Sequence, residues 1–432
     1  MNRAPGRGGL LPLALVAGLL GLPVPAHGQE QPAPARPKLT TVLVTARQTF
    51  LRQQASTRSQ HVAVVVRGAR LSSDALVYGQ GCNPGWFRIT TGGFLCADDG
   101  ALTDQAPGGP VLPELPAGQV VPYQYLGVGA EGSAEYLSPA DAASDYFLRE
   151  LAPRHHVAVV RRIRHGGEWF WVTTRGSYVP AAEVYPHRPS TFAGVTLGPA
   201  QPLPLVFVIS ARATVYREPG KPTRSFVRRY ERFPVLQSTQ RRSVTYHQIG
   251  PQRYLAGRDV RLASVAPPPP GLGAKERWVD IDLREQVLVV YEGLAPVFAT
   301  LVSTGRHTPT PLGNHRVWAK VASTDMKARP GEEQPYHMWE VPWTVFFKGS
   351  YGLHGTYWHD RFGERRSSGC VNLSPRDART VFGLVEPDLP PGYFARLPRD
   401  PKVGTIIRVR DGTRLPAPPR PPPRPRPSPA RR

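Results

Sequence analysis

A five-residue string, His61-Val62-Ala63-Val64-Val65, recurs as His156-Val157-Ala158-Val159-Val160, and this repeat narrows what the chain can fold into. So short a run of β-branched residues between turn formers signals a strand. Each copy is followed by a tryptophan-centred strand pair. The first is Gly85-Trp86-Phe87-Arg88-Ile89 with Gly93-Phe94-Leu95-Cys96; the second is Glu168-Trp169-Phe170-Trp171-Val172 with Ser177-Tyr178-Val179, closing on Ala182-Glu183-Val184. A weaker third copy is Val244-Thr245-Tyr246-His247-Gln248-Ile249 with Arg253-Tyr254-Leu255-Ala256-Gly257. Residues 39–265 therefore read as short strands between turns, and the fold class as mainly β. Trp86, Phe87 and Trp169 have two uses, stacking on sugars or gripping peptides if exposed, or filling the cores of small modules. The second is favoured, because large aromatics supply most of a small domain's apolar burial.

At 432 residues the chain suits two or three modules. Arg3 and Arg7 precede an apolar run from Leu10 to Val24, and Ala26-His27-Gly28 places small residues before a cut at Gln29. Residues 1–28 thus read as a secretory signal, with an uncleaved anchor as the alternative, and 29–38 as a Pro/Ala/Gln linker. The expected location is the periplasm or cell envelope. The Pro-rich stretch at 266–274 reads as a second linker. Beyond it Trp278–Asp282, Gln286–Glu292, Val297–Val302, Arg316–Val321 and Val341–Phe347 continue the β pattern. A helix is expected over Pro375–Val385, with Ser374 as N-cap and Pro375 in the first turn. Residues 411–432, rich in proline and arginine from Arg414 onward, read as an extended basic tail.

The formal net charge of +22 raises the question of nucleic acid. No zinc-ligand cluster, recognition helix or RNA-stacking signature accompanies the basic residues, so a nucleic-acid partner is not expected. For an exported chain the charge fits either an anionic wall or membrane surface, or plain solubility. Export also bears on the three cysteines: Cys82 and Cys96 can pair across a short loop, leaving Cys370 outside the bridge.

Cys370 follows His354 by sixteen positions, in His354-Gly355-Thr356-Tyr357-Trp358 … Ser367-Ser368-Gly369-Cys370-Val371-Asn372-Leu373-Ser374-Pro375. A thiolate is the reactive form of cysteine, and an imidazole can take its proton and return it to a leaving amine. Small residues at 368 and 369 would let the backbone N–H groups of Ser368, Gly369 and Cys370 converge on a developing oxyanion. An isolated Cys and His would more often be core residues. His359-Asp360 lies near enough to suggest metal ligands, but no HExxH run or compact Cys/His set accompanies it, so no metal is expected. Tyr336, His337 and Trp339 fit either a lid over the cleft or loop packing. No Ser-x-x-Lys motif occurs, which argues against penicillin-binding-protein chemistry.

The histidine-to-cysteine run resembles the active-site signature of the L,D-transpeptidases, the YkuD-type domains that remodel bacterial peptidoglycan. The likeness extends through Trp278–Asp282, Val297–Gly305 and Thr308–Gly313 and covers residues 275–410. It implies a β-sandwich with a short helix. The preceding repeats, by their short strands and tryptophan placement, resemble bacterial SH3-like barrels. The L,D-transpeptidase likeness implies Cys370 as nucleophile, His354 as base, and the Gly355 carbonyl as the group orienting the imidazole. Asn372, Trp358 and Tyr357 would shape the substrate cleft, and no cofactor is implied. The substrates would be peptidoglycan stem peptides: Cys370 attacks the diamino acid carbonyl of a tetrapeptide stem, D-alanine leaves, and a second stem's amine resolves the thioester as a 3→3 cross-link. Transfer to water or to a protein lysine is the alternative within the fold, and a catalytically silent wall-binding protein the alternative outside it. Many relatives carry a second histidine where this chain has Ser368.

Overall fold

The structure, a computed structural model, describes residues 39–306, 309–328, 336–398 and 400–412. The signal at 1–28, the linker at 29–38 and the tail beyond residue 412 lie outside them. Strands dominate, and the α-helix among the described residues is Pro375–Leu384. Ser374 caps it, its hydroxyl accepting from the Asp377 N–H at 3.2 Å.

Residues from 277 onward, joined by the short strand Val195–Thr196, form two sheets around one core. The first sheet runs, in spatial order, Val195–Thr196, Ala295–Leu301, Val287–Glu292, Arg277–Asp282, Ile406–Arg410 and Gly313–Arg316. Arg277–Asp282 is central and almost wholly buried, so its two acidic residues need partners. Asp280 accepts from Arg408 at 2.6 Å and Arg410 at 2.8 Å, and Asp282 from Arg410 at 2.6 Å. The C-terminal strand is thereby tied into the sheet. The second sheet contains Ala319–Lys327, His337–Lys348, Tyr351–Gly355 and Val371–Leu373. Val279, Ile281 and Val290 of the first meet Val345, Leu353 and Val371 of the second, with Val381 and Phe382 of the helix in the same cluster.

The repeats dock edge-on against this unit. His61–Val66 pairs antiparallel with Tyr393–Arg396, with Val64 opposite Ala395. His155–His165 pairs parallel with His337–Lys348, with His155 opposite His337 and His156 opposite Met338. Both copies of the string thus reach a seam, the first through Ala63, Val64 and Val65 and the second through His156. The copies then diverge: a turn at Gly68, whose φ of 85° suits glycine, ends the first strand, while the second runs on through a bulge between Val159 and Arg161. Trp86 and Phe87 are buried, whereas Trp169 is 46 % exposed with the Arg162 guanidinium 4.4 Å from its ring centre. The 266–274 stretch connects the third copy to the sandwich but is anchored, since the Ala266 N–H donates to Tyr291 Oη at 3.0 Å and Pro267 O accepts from Arg408 at 2.5 Å.

Cys82 and Cys96 are joined as a disulfide with Cα atoms 5.9 Å apart, and Cys370 is not disulfide-bonded. The pairing of Trp86 with Cys96 brings the ends of this loop together. Alkylation of the native, non-reduced protein should label Cys370 alone by peptide mapping. Removing the bridge with Cys82→Ala and Cys96→Ala should lower stability by about 3 kcal/mol in the loop-entropy picture, read as a fall in unfolding midpoint. Label on Cys82 or Cys96 in the native protein would contradict the pairing.

Candidate active site

The spacing between His354 and Cys370 follows from topology. Tyr351–Gly355 and Val371–Leu373 lie side by side in parallel, with His354 opposite Asn372 and Gly355 opposite Leu373. Parallel neighbours need a crossover of a dozen or more residues, and 356–370 supplies it. That crossover carries Trp358, Arg366, Ser367 and Ser368 back over the edge and delivers Cys370 at the mouth of its strand.

His354, Trp358, Ser367, Ser368, Cys370 and Asn372 line one cavity of about 290 Å³. His354 is 2 % exposed, and its Nδ1 lies 3.3 Å from Gly355 O. With Nδ1–H donating to that carbonyl, Nε2 is the basic nitrogen. Burial pushes the imidazole pKa down to about 4, opposed only by the Gly355 carbonyl, so the ring is neutral near pH 7 and able to accept a proton. Trp358 lies along it, with ring centres 5.8 Å apart. The Cys370 sulfur sits 3.7 Å from Ser350 O.

The turn before Cys370 is held by a serine the sequence reading passed over. Ser367 Oγ donates to Cys370 O at 2.5 Å and accepts from the Gly369 N–H at 3.1 Å. Gly369 has a φ of +125°, where a side chain would be strained, and its carbonyl accepts from Thr310 Oγ at 2.8 Å. Of the three amides expected to form an oxyanion hole, that of Gly369 is therefore engaged inside the turn. Ser367→Ala would remove both bonds made by the hydroxyl. It should cost about 1–2 kcal/mol of stability and lower kcat roughly tenfold with little change in KM, because the nucleophile loses its positioning. Unaltered kcat in a folded variant would refute that role.

Asn372 is buried against the cavity, its Nδ2 2.9 Å from His359 Nε2, and its Oδ1 has no partner among the described residues. His359 is pushed down to about 3 by burial and by the charges of Arg366 and His354. Asp360 accepts from Tyr230 Oη at 3.0 Å. Tyr357 departs from expectation. Its ring is 1 % exposed, stacks on Tyr125 with centres 3.6 Å apart, and donates through Oη to Trp339 O at 3.0 Å. It belongs to the core shared with the second repeat and does not line the cavity; its ring meets Trp358, which does, edge-on with centres 4.9 Å apart. Of the aromatic group read as lid or packing, Tyr336 lines the cavity. His337 bonds Asp325 at 2.9 Å, and Trp339 is buried beneath Arg175. Residues 329–335 lie outside the described residues.

Residues 276–409 match the family model of YkuD, the L,D-transpeptidase catalytic domain. That match places this segment of the chain in the family. Among solved structures, a mutant L,D-transpeptidase from Enterococcus faecium is 25 % identical over 31 % of this chain and 49 % of its own, with a TM-score of 0.26. An L,D-transpeptidase from Stackebrandtia nassauensis is 25 % identical over 32 % of this chain and 56 % of its own, TM-score 0.23. One from Mycobacterium smegmatis is 18 % identical over 40 % of this chain and 79 % of its own, TM-score 0.26. The chain spans about half the length of the first two. Comparison with curated proteins finds no match.

Proposed function

We propose that the chain is an exported peptidoglycan L,D-transpeptidase of the periplasm or cell envelope, acting through a Cys370 thioester. The observation that carries this is His354: a buried, neutral imidazole, oriented by Gly355 O, on the wall of the cavity that Cys370 faces. Cys370 Sγ attacks the diamino acid carbonyl of a tetrapeptide stem while its proton passes to His354 Nε2. The C–S bond forms, the amide C–N bond breaks, and His354 returns the proton to the departing D-alanine amine. A second stem's side-chain amine then attacks the thioester, giving its proton to His354, and the thiol is regenerated with the new amide.

The amides of Ser368 and Cys370 are the proposed oxyanion donors. Asn372, whose Oδ1 has no partner among the described residues, and Trp358 are proposed to hold the stem. No cofactor enters this scheme. The basic surface is proposed to keep the enzyme near an anionic wall or membrane face. Mass analysis of muropeptides after incubation with tetrapeptide-stem fragments tests the assignment. A cross-linked dimer with released D-alanine supports it; a tripeptide alone moves the reaction to hydrolysis; unchanged fragments reject both.

A further inference from the structure

The turn that carries Cys370 is held from behind by a buried hydroxyl. Thr310 is 1 % exposed, precedes the strand Gly313–Arg316 and does not line the Cys370 cavity. Its Oγ1 accepts from the Gly305 N–H at 3.1 Å and gives its one proton to Gly369 O at 2.8 Å. Chemistry fixes that direction, because a carbonyl only accepts.

Gly305 is itself fixed. It bridges Ser367 in parallel, and the Arg306 N–H donates to Ser367 O at 2.9 Å. Thr304 O accepts from the N–H groups of Arg366 and Ser367 at 2.8 and 3.1 Å. Behind Thr304, the buried Gln286 amide accepts from the Thr304 N–H at 2.9 Å and donates to Thr304 Oγ1 at 2.6 Å. Thr310 thus acts from a frame of bonded backbone.

What it holds is one peptide unit, Gly369–Cys370. Glycine at a φ of +125° offers no side chain to stop that unit from turning, so a bond to the carbonyl has to fix it. The unit is trans, since the cis bonds among the described residues all precede proline. In a planar trans peptide the C=O and the following N–H point in opposite directions. The Gly369 carbonyl is drawn toward Thr310, which lies outside the cavity lining, and the Cys370 N–H is thereby directed to the opposite side, toward the cavity. Donation to the carbonyl also polarises the amide and strengthens its N–H as a donor.

We infer that Thr310 is the positioning residue of the oxyanion site: its hydroxyl holds the Gly369 carbonyl and so aims the Cys370 N–H at the reacting carbonyl. This rests on the acyl-transfer step of the proposed function and not on the stem peptide as substrate, so the two can fail separately.

Two reagents for one thiol separate aiming from packing. Iodoacetamide alkylates Cys370 Sγ by displacing iodide from a tetrahedral carbon, and no oxyanion forms. With p-nitrophenyl acetate the same sulfur attacks the ester carbonyl, the tetrahedral intermediate carries O⁻, nitrophenolate leaves and the thiol proton passes to His354. Full-length wild type, Thr310→Val, Thr310→Ala and Thr310→Ser are compared, with the rate of Cys370→Ala subtracted as the background of other nucleophiles. Val fills the space of the lost hydroxyl and Ala leaves it open, so the test stands on whichever keeps the wild-type unfolding midpoint more closely. Acylation should fall about tenfold or more in both, alkylation should stay within about twofold, and Ser should restore acylation. An unchanged ratio of the two rates, whether neither falls or both fall together, overturns the inference, since the hydroxyl then only packs the turn. A ratio that Ser leaves as low as Val does overturns it too. A lowered ratio, restored by Ser, in a protein whose wild type leaves tetrapeptide stems untouched upholds the role of Thr310 and rejects the transpeptidase assignment.

Discussion

Cys370→Ala is expected to abolish D-alanine release from tetrapeptide stems, a loss of at least about a thousandfold, and to abolish the covalent mass added by a carbapenem. The sulfur lies at the mouth of a strand, partly exposed to the cavity, so the substitution removes the nucleophile with little change in packing. His354→Ala should cut turnover by roughly a hundredfold to ten-thousandfold, since the remaining thiol has no base to take its proton. The two losses should not add: Cys370→Ala with His354→Ala should match Cys370→Ala alone, because the pair acts as one unit. Ser368→Ala should be mild, as a backbone N–H is unaffected by side-chain truncation. Release of D-alanine by a folded Cys370→Ala protein, or a wild type that takes no carbapenem adduct, would rule out the thioester.

The sequence located His354, Gly355 and Cys370 more fully than the walls of the cavity around them. The histidine, its glycine carbonyl and the cysteine lie within one crossover of two parallel strands, so local order carries them. The Ser374 cap and the strands from Trp278 onward were equally readable, because capping and strand burial are written in neighbouring residues. Tyr357 was placed in the cleft on the strength of the resemblance, and a motif of neighbouring residues does not say which of them meets a second module. That module is Tyr125 and its neighbours, more than two hundred residues earlier in the chain. Arg154, which also lines the cavity, could not be placed from the sequence, because only the pairing of His155 with His337 brings it there. Ser367 was in view but given no role, because a hydroxyl tying a turn to its own backbone has no signature beyond its position.

Stability should fall steeply as pH drops from about 7 to 5, and histidines set the sign. His354 is pushed down to about 4 by burial, and His156 is pushed down by burial and by His187, whose Nε2 lies 2.5 Å from its Nδ1. The unfolded chain binds these protons near pH 6.5 and the folded chain only well below it. Stability is therefore full above about 6.5 and is lost as pH falls toward the folded values. By pH 5 each well-buried ring should cost about 2 kcal/mol, so the two together take about 4 kcal/mol from a margin typically of about 5–15. His187 and His359 are more accessible and add less. Asp377 opposes them: burial raises it to about 6, so the folded state takes up its proton first, returning about 1 kcal/mol on acidification. Denaturant unfolding followed between pH 7.5 and 4.5 should show net proton uptake by the unfolded state throughout. Stability flat or rising toward pH 5 would overturn the assignment. Since His354 itself protonates only near 4, kcat/KM per folded molecule should hold to about pH 5, so that acid inactivation there is a loss of fold before it is a loss of the base.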